Sequence, residues 1–403
     1  MIEIINKKDC CGCSACVQKC PKQCISLKED EEGFLYPVVE IETCIDCGLC
    51  EKVCPVLHQG EERKPLKVYA AKNQNEEIRL QSSSGGVFTL LAEEIIKEGG
   101  IVFGARFDEK WEVKHDFTET IDGLSAFRGS KYVQSRIEDN FQKVEAFLKQ
   151  GRKVLFSGTP CQVAGLKRFL RKEYDNLLTV DFVCHGVPSP GVWRQYLKEI
   201  IALMCDKNSV SSDPSSMDNA HIESISFRNK STGCKKYSFA LTLSATSRSG
   251  VKNTVSLNEV FPKNTFMKGF LANLYLRPSC YACPAKCGKS GSDITIGDLW
   301  GAPSIIGQDD DDKGTSLVLI NKDIPYLKNY SSFWVKEVDY SSALAYNICI
   351  ERSVGEPKKR TLFYSSIKRG YCLEKVVSKL TKVSLYDKSI RLMKGIVKRI
   401  IRY

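Results

Sequence analysis

The sequence predicts two units of different class: a small α+β head organised by a duplicated cysteine motif, and a larger α/β domain with a mixed sheet. Two observations carry this expectation. Cys10-x-x-Cys13-x-x-Cys16-x-x-x-Cys20-Pro21 recurs as Cys44-x-x-Cys47-x-x-Cys50-x-x-x-Cys54-Pro55. Further along, KVLFSGTPCQVAGLKRFL (153–170) reads as strand, tight loop and helix, and LLTVDFVCHGVPSPGVWRQYLKEI (177–200) repeats that order. Alternation of this kind places parallel strands side by side with helices covering the sheet.

The repeat predicts two iron–sulfur clusters. In this spacing three cysteines wrap one cube, and the fourth, directed away by its proline, ligates the other. Cluster one takes Cys10, Cys13, Cys16 and Cys54; cluster two takes Cys44, Cys47, Cys50 and Cys20. A disulfide framework or a pair of zinc sites fits less well, because zinc pairs rarely carry a third cysteine and a Cys-Pro at these offsets twice over. IEII (2–5) and YPVVEI (36–41) read as the short strands preceding each cysteine loop, with KEDEEG (28–33) as the turn between halves.

With 403 residues, 42% of them hydrophobic, the chain can bury more than one core, so the head (1–60) is a small part of it. Nineteen cysteines without an apolar leader stretch suggest a reducing, cytoplasmic setting. The net charge of +11 is spread along the chain with no groove-reading motif. That argues against nucleic acid and leaves acidic partners or a membrane surface. Cys11, Cys24, Cys205, Cys234, Cys349 and Cys372 fit no cluster spacing and read as small buried hydrophobes.

HQGEERKPLK (58–67) reads as a linker, and VYAAK (68–72) opens the main domain as a strand. FTLLAEEIIKEGG (88–100) is helical and ends at a glycine pair. IVFGARFD and WEVKHDF form a candidate hairpin, and SRIEDNFQKVEAFLKQG (135–151) is an amphipathic helix. Cys161 and Cys184 then follow neighbouring strand ends, where open α/β sheets keep their ligands. Beyond a polar loop at 208–219 lie IESISFRN, YSFALTLSA and NTVSLNEV, a strand-rich section, and then the buried strands SDITIGDLWG and TSLVLIN. The expected divisions are 66–150, 151–330 and a basic helical tail, 331–403. Its end, KSIRLMKGIVKRIIRY (388–403), reads either as a packed terminal helix or as a peripheral membrane contact.

Cys280-x-x-Cys283, with Cys287 close behind, could join Cys161 and Cys184 in a third four-thiolate site. From the residues alone, any four of these five serve. At SSSGGVFTLLA (82–92), FRGSKYVQS (127–135), GTPCQVAGLK (158–167), FVCHG (182–186), RPSCYAC (277–283) and SDITIGDLWG (292–301) the chain resembles the coenzyme F420 hydrogenase/dehydrogenase beta subunits, a family that includes hydroxymethyl chlorophyll reductase. The resemblance runs from the head to about residue 320. It implies a ferredoxin-like dicluster head followed by an α/β flavin-binding domain, with electrons passing between FAD and 4Fe-4S clusters. It also implies that Cys161, Cys184, Cys280 and Cys283 hold the third cluster. Cys287 is a departure from the family pattern and a possible substitute ligand.

For the flavin, Ser84-Gly85-Gly86 at a helix start offers bare amides and a positive dipole end, which suits a pyrophosphate. Ser82 and Ser83 would cap that helix. Gly129-Ser130-Lys131-Tyr132 resembles the family's second flavin-contacting loop, so Ser130, Lys131 and Tyr132 are cofactor candidates. Lys131 either favours the anionic reduced flavin or is an ordinary exposed lysine. Asp293, Gly297 and Asp298 are expected to line the same cleft, with Asp298 on a ribityl or ring edge or else capping a turn. His185, beside Cys184, is a candidate proton donor; His58, His115 and His221 have no motif around them. No G-x-G-x-x-G follows a strand and no G-x-x-x-x-G-K-S/T is present, so neither a Rossmann nicotinamide site nor a P-loop is supported.

The chain is thus expected to be an FAD-dependent iron–sulfur oxidoreductase working with a ferredoxin-like redox partner and a small-molecule substrate that the residues do not name. A non-catalytic electron-transfer subunit of a larger complex is the alternative.

Overall fold

The computed structural model describes residues 1–208, 220–246, 252–323 and 333–382; the basic segment 388–403 lies outside them. In the head, β1 (Ile25–Glu29) and β2 (Leu35–Val39) form an antiparallel hairpin. Asp30 closes its turn, accepting from the amides of Glu32 and Phe34 at 3.0 and 2.9 Å. The expected strand at IEII is absent: residues 2–5 take no regular structure. Instead the Ile2 amide points at Cys50 Sγ, 3.3 Å away, so this segment crosses the second cysteine loop rather than pairing with a strand. The two loops repeat each other in backbone as well as sequence. Left-handed residues stand at Gly12 and Ser14 in the first and at Asp46 and Gly48 in the second, a reversal that curls successive amides around a common centre.

The body is an eight-stranded sheet whose members are β3 (Lys67–Asn73), β4 (Ile101–Phe107), β5 (Val113–Thr118), β6 (Val154–Gly158), β7 (Leu177–Phe182), β11 (Ile294–Asp298), β12 (Ser316–Ile320) and β13 (Phe333–Glu337). A separate three-stranded sheet holds β8 (His221–Asn229), β9 (Ser238–Thr246) and β10 (Lys252–Val260). The large sheet runs β13-β3-β12-β11-β7-β6-β4-β5. Its centre, β4-β6-β7-β11, is parallel, and β5, β12 and β13 run antiparallel to their neighbours. The sheet is mixed, as expected: the parallel centre is what the alternating pattern predicted, and β4 with β5 is the expected hairpin. The edge strand β13 belongs to the stretch expected as a helical tail. Downstream of it, Ala343, Phe363, Val376 and Val377 are buried, so 333–382 is part of the body.

Side-chain alternation assigns the faces. Val102, Leu155 and Val180 pack with Val87, Leu90, Leu91 and Ile95 of the helix Val87–Lys97. Ile101, Phe103, Val154 and Phe156 face the other way, toward Phe141, Val163 and Phe169. Cys11, Cys13, Ala15 and Val53 of the head belong to that same cluster. The head therefore shares a core with the body. The small sheet packs Phe227, Phe239 and Leu241 on Trp193 and Tyr196 of the helix Pro190–Asn208.

Several polar contacts fasten the head. Arg360 forms a bidentate pair with Glu32, Ser189 donates to the Glu32 carbonyl, and Gln18 Oε1 accepts from the Phe141 amide at 2.9 Å. The linker is strapped down as well, with Arg63 donating to the carbonyls of Gly288 and Ser292 at 2.9 and 2.6 Å. At the hairpin turn, Gly33 has φ +86°, and a Cβ there would lie 2.3 Å from the Gly191 nitrogen. Both conditions demand glycine. Gly33→Ala should lower the unfolding free energy by about 1–3 kcal/mol from backbone strain alone, read as a fall in the urea midpoint. An unchanged midpoint would contradict this close approach.

Candidate functional site

Two cavities in the head bring the repeated cysteines together with their fourth members exchanged. One is lined by Cys10, Cys13, Cys16 and Cys54, and the other by Cys20, Cys44, Cys47 and Cys50. Among the described residues no three candidate ligands converge tightly enough for a single metal ion. Burial pushes the Cys16 thiol up to about 12, so these sulfurs resist ionising unless cationic iron compensates them. The four-thiol donor set and the curled amides fit the cubes.

Cys11 and Cys24 are buried, as expected, but they are more than filler. Each lines a cavity beside the ligands. Cys24 Sγ lies 3.4 Å from Cys20 Sγ, and that neighbour raises its pKa to about 11. Cys11 packs with Cys13 in one apolar cluster against which Cys161 also packs, between the head and the body.

In the body, Thr159 caps the helix Pro160–Leu170 through a reciprocal box with Gln162, which sets Cys161 in the first turn, where a thiolate is favoured. Cys184 follows β7. Cys280 sits on the turn Pro278–Ala282, which Cys283 ends. Cys184 lies in the field of Cys280, Cys161 and Cys283, Cys280 in that of Cys161 and Cys283, and Cys283 in that of Cys161. Burial pushes Cys280 up to about 12. Cys287 stands apart: its φ is +56°, its thiol donates to the Glu351 carbonyl at 3.3 Å, and its charged neighbours are Glu62, Glu351, Lys289 and Lys286. The structure thus brings together four of the five thiols and leaves Cys287 out.

His185 Nε2 lies 2.7 Å from Asn273 Oδ1, and Nδ1 lies 3.9 Å from Cys349 Sγ. Burial lowers its pKa, so the ring is neutral near neutral pH and poorly suited to delivering a proton.

The parallel strands deliver their carboxyl ends to one edge of the sheet, and β3 runs in the same direction. Cys161 and Cys184 follow strand ends on this edge, Asp298 ends β11 there, and the turn 82–86, which follows the helix Glu76–Gln81, lies against the end of β3, with the Asn73 amide donating to the Gly85 carbonyl at 2.7 Å. Ser83 Oγ lies 2.8 Å from Ser130 Oγ and accepts from the Ser130 amide at 2.6 Å, which joins the two candidate flavin loops. Gly85 is wedged where a Cβ would lie 2.4 Å from the Ala71 carbonyl oxygen. The helix Val87–Lys97 starts at left-handed Gly86 without a side-chain cap. Ser82 does not cap it; its hydroxyl donates back to the Ile78 carbonyl at 2.7 Å. Free first-turn amides and the open space beside Gly129 fit an anionic cofactor.

Arg228 and Lys230, which no motif marked, hold this turn from the small sheet. Arg228 Nη2 donates to the Ser83 carbonyl at 3.1 Å, and Lys230 Nζ to the Ser84 carbonyl at 2.7 Å. Arg228 also pairs with both oxygens of Asp298 at 2.9 and 3.0 Å and reaches the Tyr132 hydroxyl at 3.4 Å. Its buried Nε has no partner. Asp298 is therefore committed to an arginine. Lys131 Nζ donates to the carbonyls of Ala126 and Arg128, both at 2.9 Å. Gly297 is packed against Val183, whose Cγ2 a Cβ would meet at 2.8 Å.

Asp293 is not in this cleft. It precedes the other end of β11 and accepts there from the Thr179 amide and hydroxyl at 2.8 and 2.6 Å. Its five-residue separation from Asp298 spans the whole strand, so the expectation of one shared cleft fails for this residue.

Residues 68–139 match the N-terminal model of the coenzyme F420 hydrogenase/dehydrogenase beta subunit, residues 151–324 its C-terminal model, and residues 9–57 a 4Fe-4S dicluster domain. A subunit of the F(420)H(2) dehydrogenase of Methanosarcina mazei is 25% identical over 193 residues, covering 45% of this chain and 55% of that protein. A 7Fe ferredoxin of Hydrogenibacillus schlegelii is 37% identical over 65 residues, covering 15% of this chain and 77% of the ferredoxin. An uncharacterized protein of Methanocaldococcus jannaschii is 25% identical over 206 residues, covering 43% of this chain and 56% of its own length. The chain spans about half the length of the first and last of these. A chain from the F420-reducing [NiFe] hydrogenase complex of Methanosarcina barkeri superposes with a TM-score of 0.43 at 18% identity, covering 79% of this chain and 91% of that one.

The arrangement of the body thiols separates two variants. After anaerobic reconstitution Cys283→Ser should hold about four fewer irons per chain than the native protein, and Cys287→Ser the native number. Iron loss from Cys287→Ser with none from Cys283→Ser would reverse the assignment.

Proposed function

The chain belongs to the coenzyme F420 hydrogenase/dehydrogenase beta subunit family, and from that membership we propose that it is an iron–sulfur flavoprotein oxidoreductase. It would exchange electrons between a ferredoxin-like carrier and a small-molecule substrate, with 4Fe-4S clusters and FAD as cofactors. One observation carries the reading: Cys161 and Cys184 follow strand ends on the edge of the sheet where the turn 82–86 lies, Ser83 of that turn bonds Ser130 of the second candidate flavin loop, and Cys161 packs on the apolar cluster that holds Cys11 of the head. Clusters move single electrons, whereas a flavin stores two and can pass a hydride.

The chain's own residues have separable parts in this reading. Cys161, Cys184, Cys280 and Cys283 would hold a third cluster. Lys286 Nζ donates to the Cys184 carbonyl at 2.6 Å and fixes that loop. The uncapped helix start at Gly86 and the Ser83–Ser130 pair would receive the pyrophosphate. Arg228 would supply positive charge through its unpartnered Nε, while its other nitrogens hold Asp298 and the turn. Trp300 and Tyr237, with ring centroids 5.3 and 4.1 Å from the guanidinium, wall off water on that side. A non-catalytic electron-transfer subunit is the second reading, favoured by the relative named as a dehydrogenase subunit; steady turnover of a small molecule by the isolated chain would exclude it.

Anaerobically reconstituted protein should retain about one FAD per chain, and Gly85→Ala should lose it by displacing the turn from β3. A native protein that holds no flavin would end the proposal. Burial, helped by Arg106, brings the Lys131 ammonium down to about 7. Its charge is thus present below that pH and lost above it, and its attraction for phosphates fades as pH rises. FAD affinity from fluorescence quenching should weaken between about pH 6 and pH 8, and Lys131→Met should flatten the profile; a flat native profile would exclude Lys131 from the site.

A further inference from the structure

Arg277 opens the RPSCYAC motif that carries Cys280 and Cys283, yet its side chain is spent in the head. The residue is 1% exposed. Nε donates to the Cys10 carbonyl at 2.7 Å, and Nη2 to the Leu35 carbonyl at 2.9 Å. Nη2 also lies 3.4 Å from Cys10 Sγ, while Nη1 donates to Gln134 Oε1 at 2.9 Å. The guanidinium stacks 4.3 Å from the Tyr36 ring centroid and 5.4 Å from that of Phe34. At the other end of the same residue, the Arg277 carbonyl accepts from the Cys280 amide at 2.9 Å. One residue therefore touches a ligand sulfur of the first head cluster and the backbone of a thiol in the body set.

Among the described residues no carboxylate pairs with this cation. Its hydrogen bonds go to carbonyls, to an amide and to a cysteine sulfur, and its faces to aromatic rings. A guanidinium keeps its charge at any working pH, and burying one beside neutral partners is costly. The group that would balance it is a cluster bearing net negative charge. Adding an electron to a four-iron cube makes it more negative, so a buried cation and an N–H donor on its sulfur both favour the reduced state and raise its potential. None of Arg277's hydrogen bonds goes to a cysteine of cluster two.

We propose that Arg277 sets the potential of cluster one above that of cluster two, which makes cluster one the exit of the head toward the Cys280 set. This rests on the reading of the body thiols as a cluster site only for the direction of exit; the shift in potential concerns the head alone.

Potentiometric titration followed by electron paramagnetic resonance tests it in reconstituted full-length protein, with Arg277→Gln and Arg277→Lys. For Arg277→Gln, the reduced-to-oxidised ratio of cluster one at a fixed potential should fall about tenfold, about 59 mV for one electron, with cluster two unmoved. Arg277→Lys, which keeps the charge but loses the fork, should move the same way by less. Equal shifts of both clusters, or no shift, would overturn the proposal. So would loss of the head irons in both variants, since Arg277 would then be a strut for folding. A protein without flavin whose cluster one still shifts would sink the flavoprotein reading and leave this one standing.

Discussion

Burial of the first cysteine loop against the body is the constraint to which the rest of the molecule answers. Cys11 and Cys13 lie in the same apolar cluster as Phe141, Phe156 and Val163, and Gly165 is small because a Cβ there would lie 2.8 Å from that of Cys13. A thiol so placed is costly to ionise, so iron and protein stabilise each other: the metal compensates buried sulfur, and the ligated loop completes the core. The same constraint accounts for Gly33 against Gly191 and for the pairing of Arg360 with Glu32. The glycines let two backbones approach more closely than ordinary side chains would permit, and the ion pair fastens the same turn.

Parallel strands supply the second element of order. Because β4, β6, β7 and β11 run together, their following loops gather at one edge, and chemistry written far apart in sequence becomes adjacent. Cys161 and Cys184 come from successive strands, Asp298 from the next. The turn at 82–86 lies against the end of β3, beyond the antiparallel β12. Arg228 reaches in from the small sheet and ties the turn to Asp298. Electron carriers need such proximity, and here it follows from topology.

Much of this was legible because cysteine spacing and strand–helix alternation are local signals. The repeat gave both cavities with their exchanged fourth ligands, and the alternation gave the mixed sheet. Other features depended on partners distant in sequence. IEII has strand-forming residues but meets a cysteine loop instead of a strand. The residues alone could not separate Cys287 from the other four body thiols; its left-handed backbone turns it toward Glu351. Arg228 sits in an ordinary strand pattern, and the register irregularity between Ser226 and Asn229, which leaves both Phe227 and Arg228 buried, has no sequence signature. Asp293 and Asp298 looked equivalent because both flank one short strand, although opposite ends of a strand serve opposite edges of a sheet.

The central claim is that one chain carries three four-iron sites in series, two in the head and one at the sheet edge. Chemical iron and sulfide determination on the anaerobically reconstituted native chain, with a Mössbauer spectrum of the same sample, addresses it most directly. About twelve irons per chain, all in four-iron cubes, are expected. About eight irons, with the four body thiols still open to alkylation, would contradict it and leave a dicluster head on a body without metal.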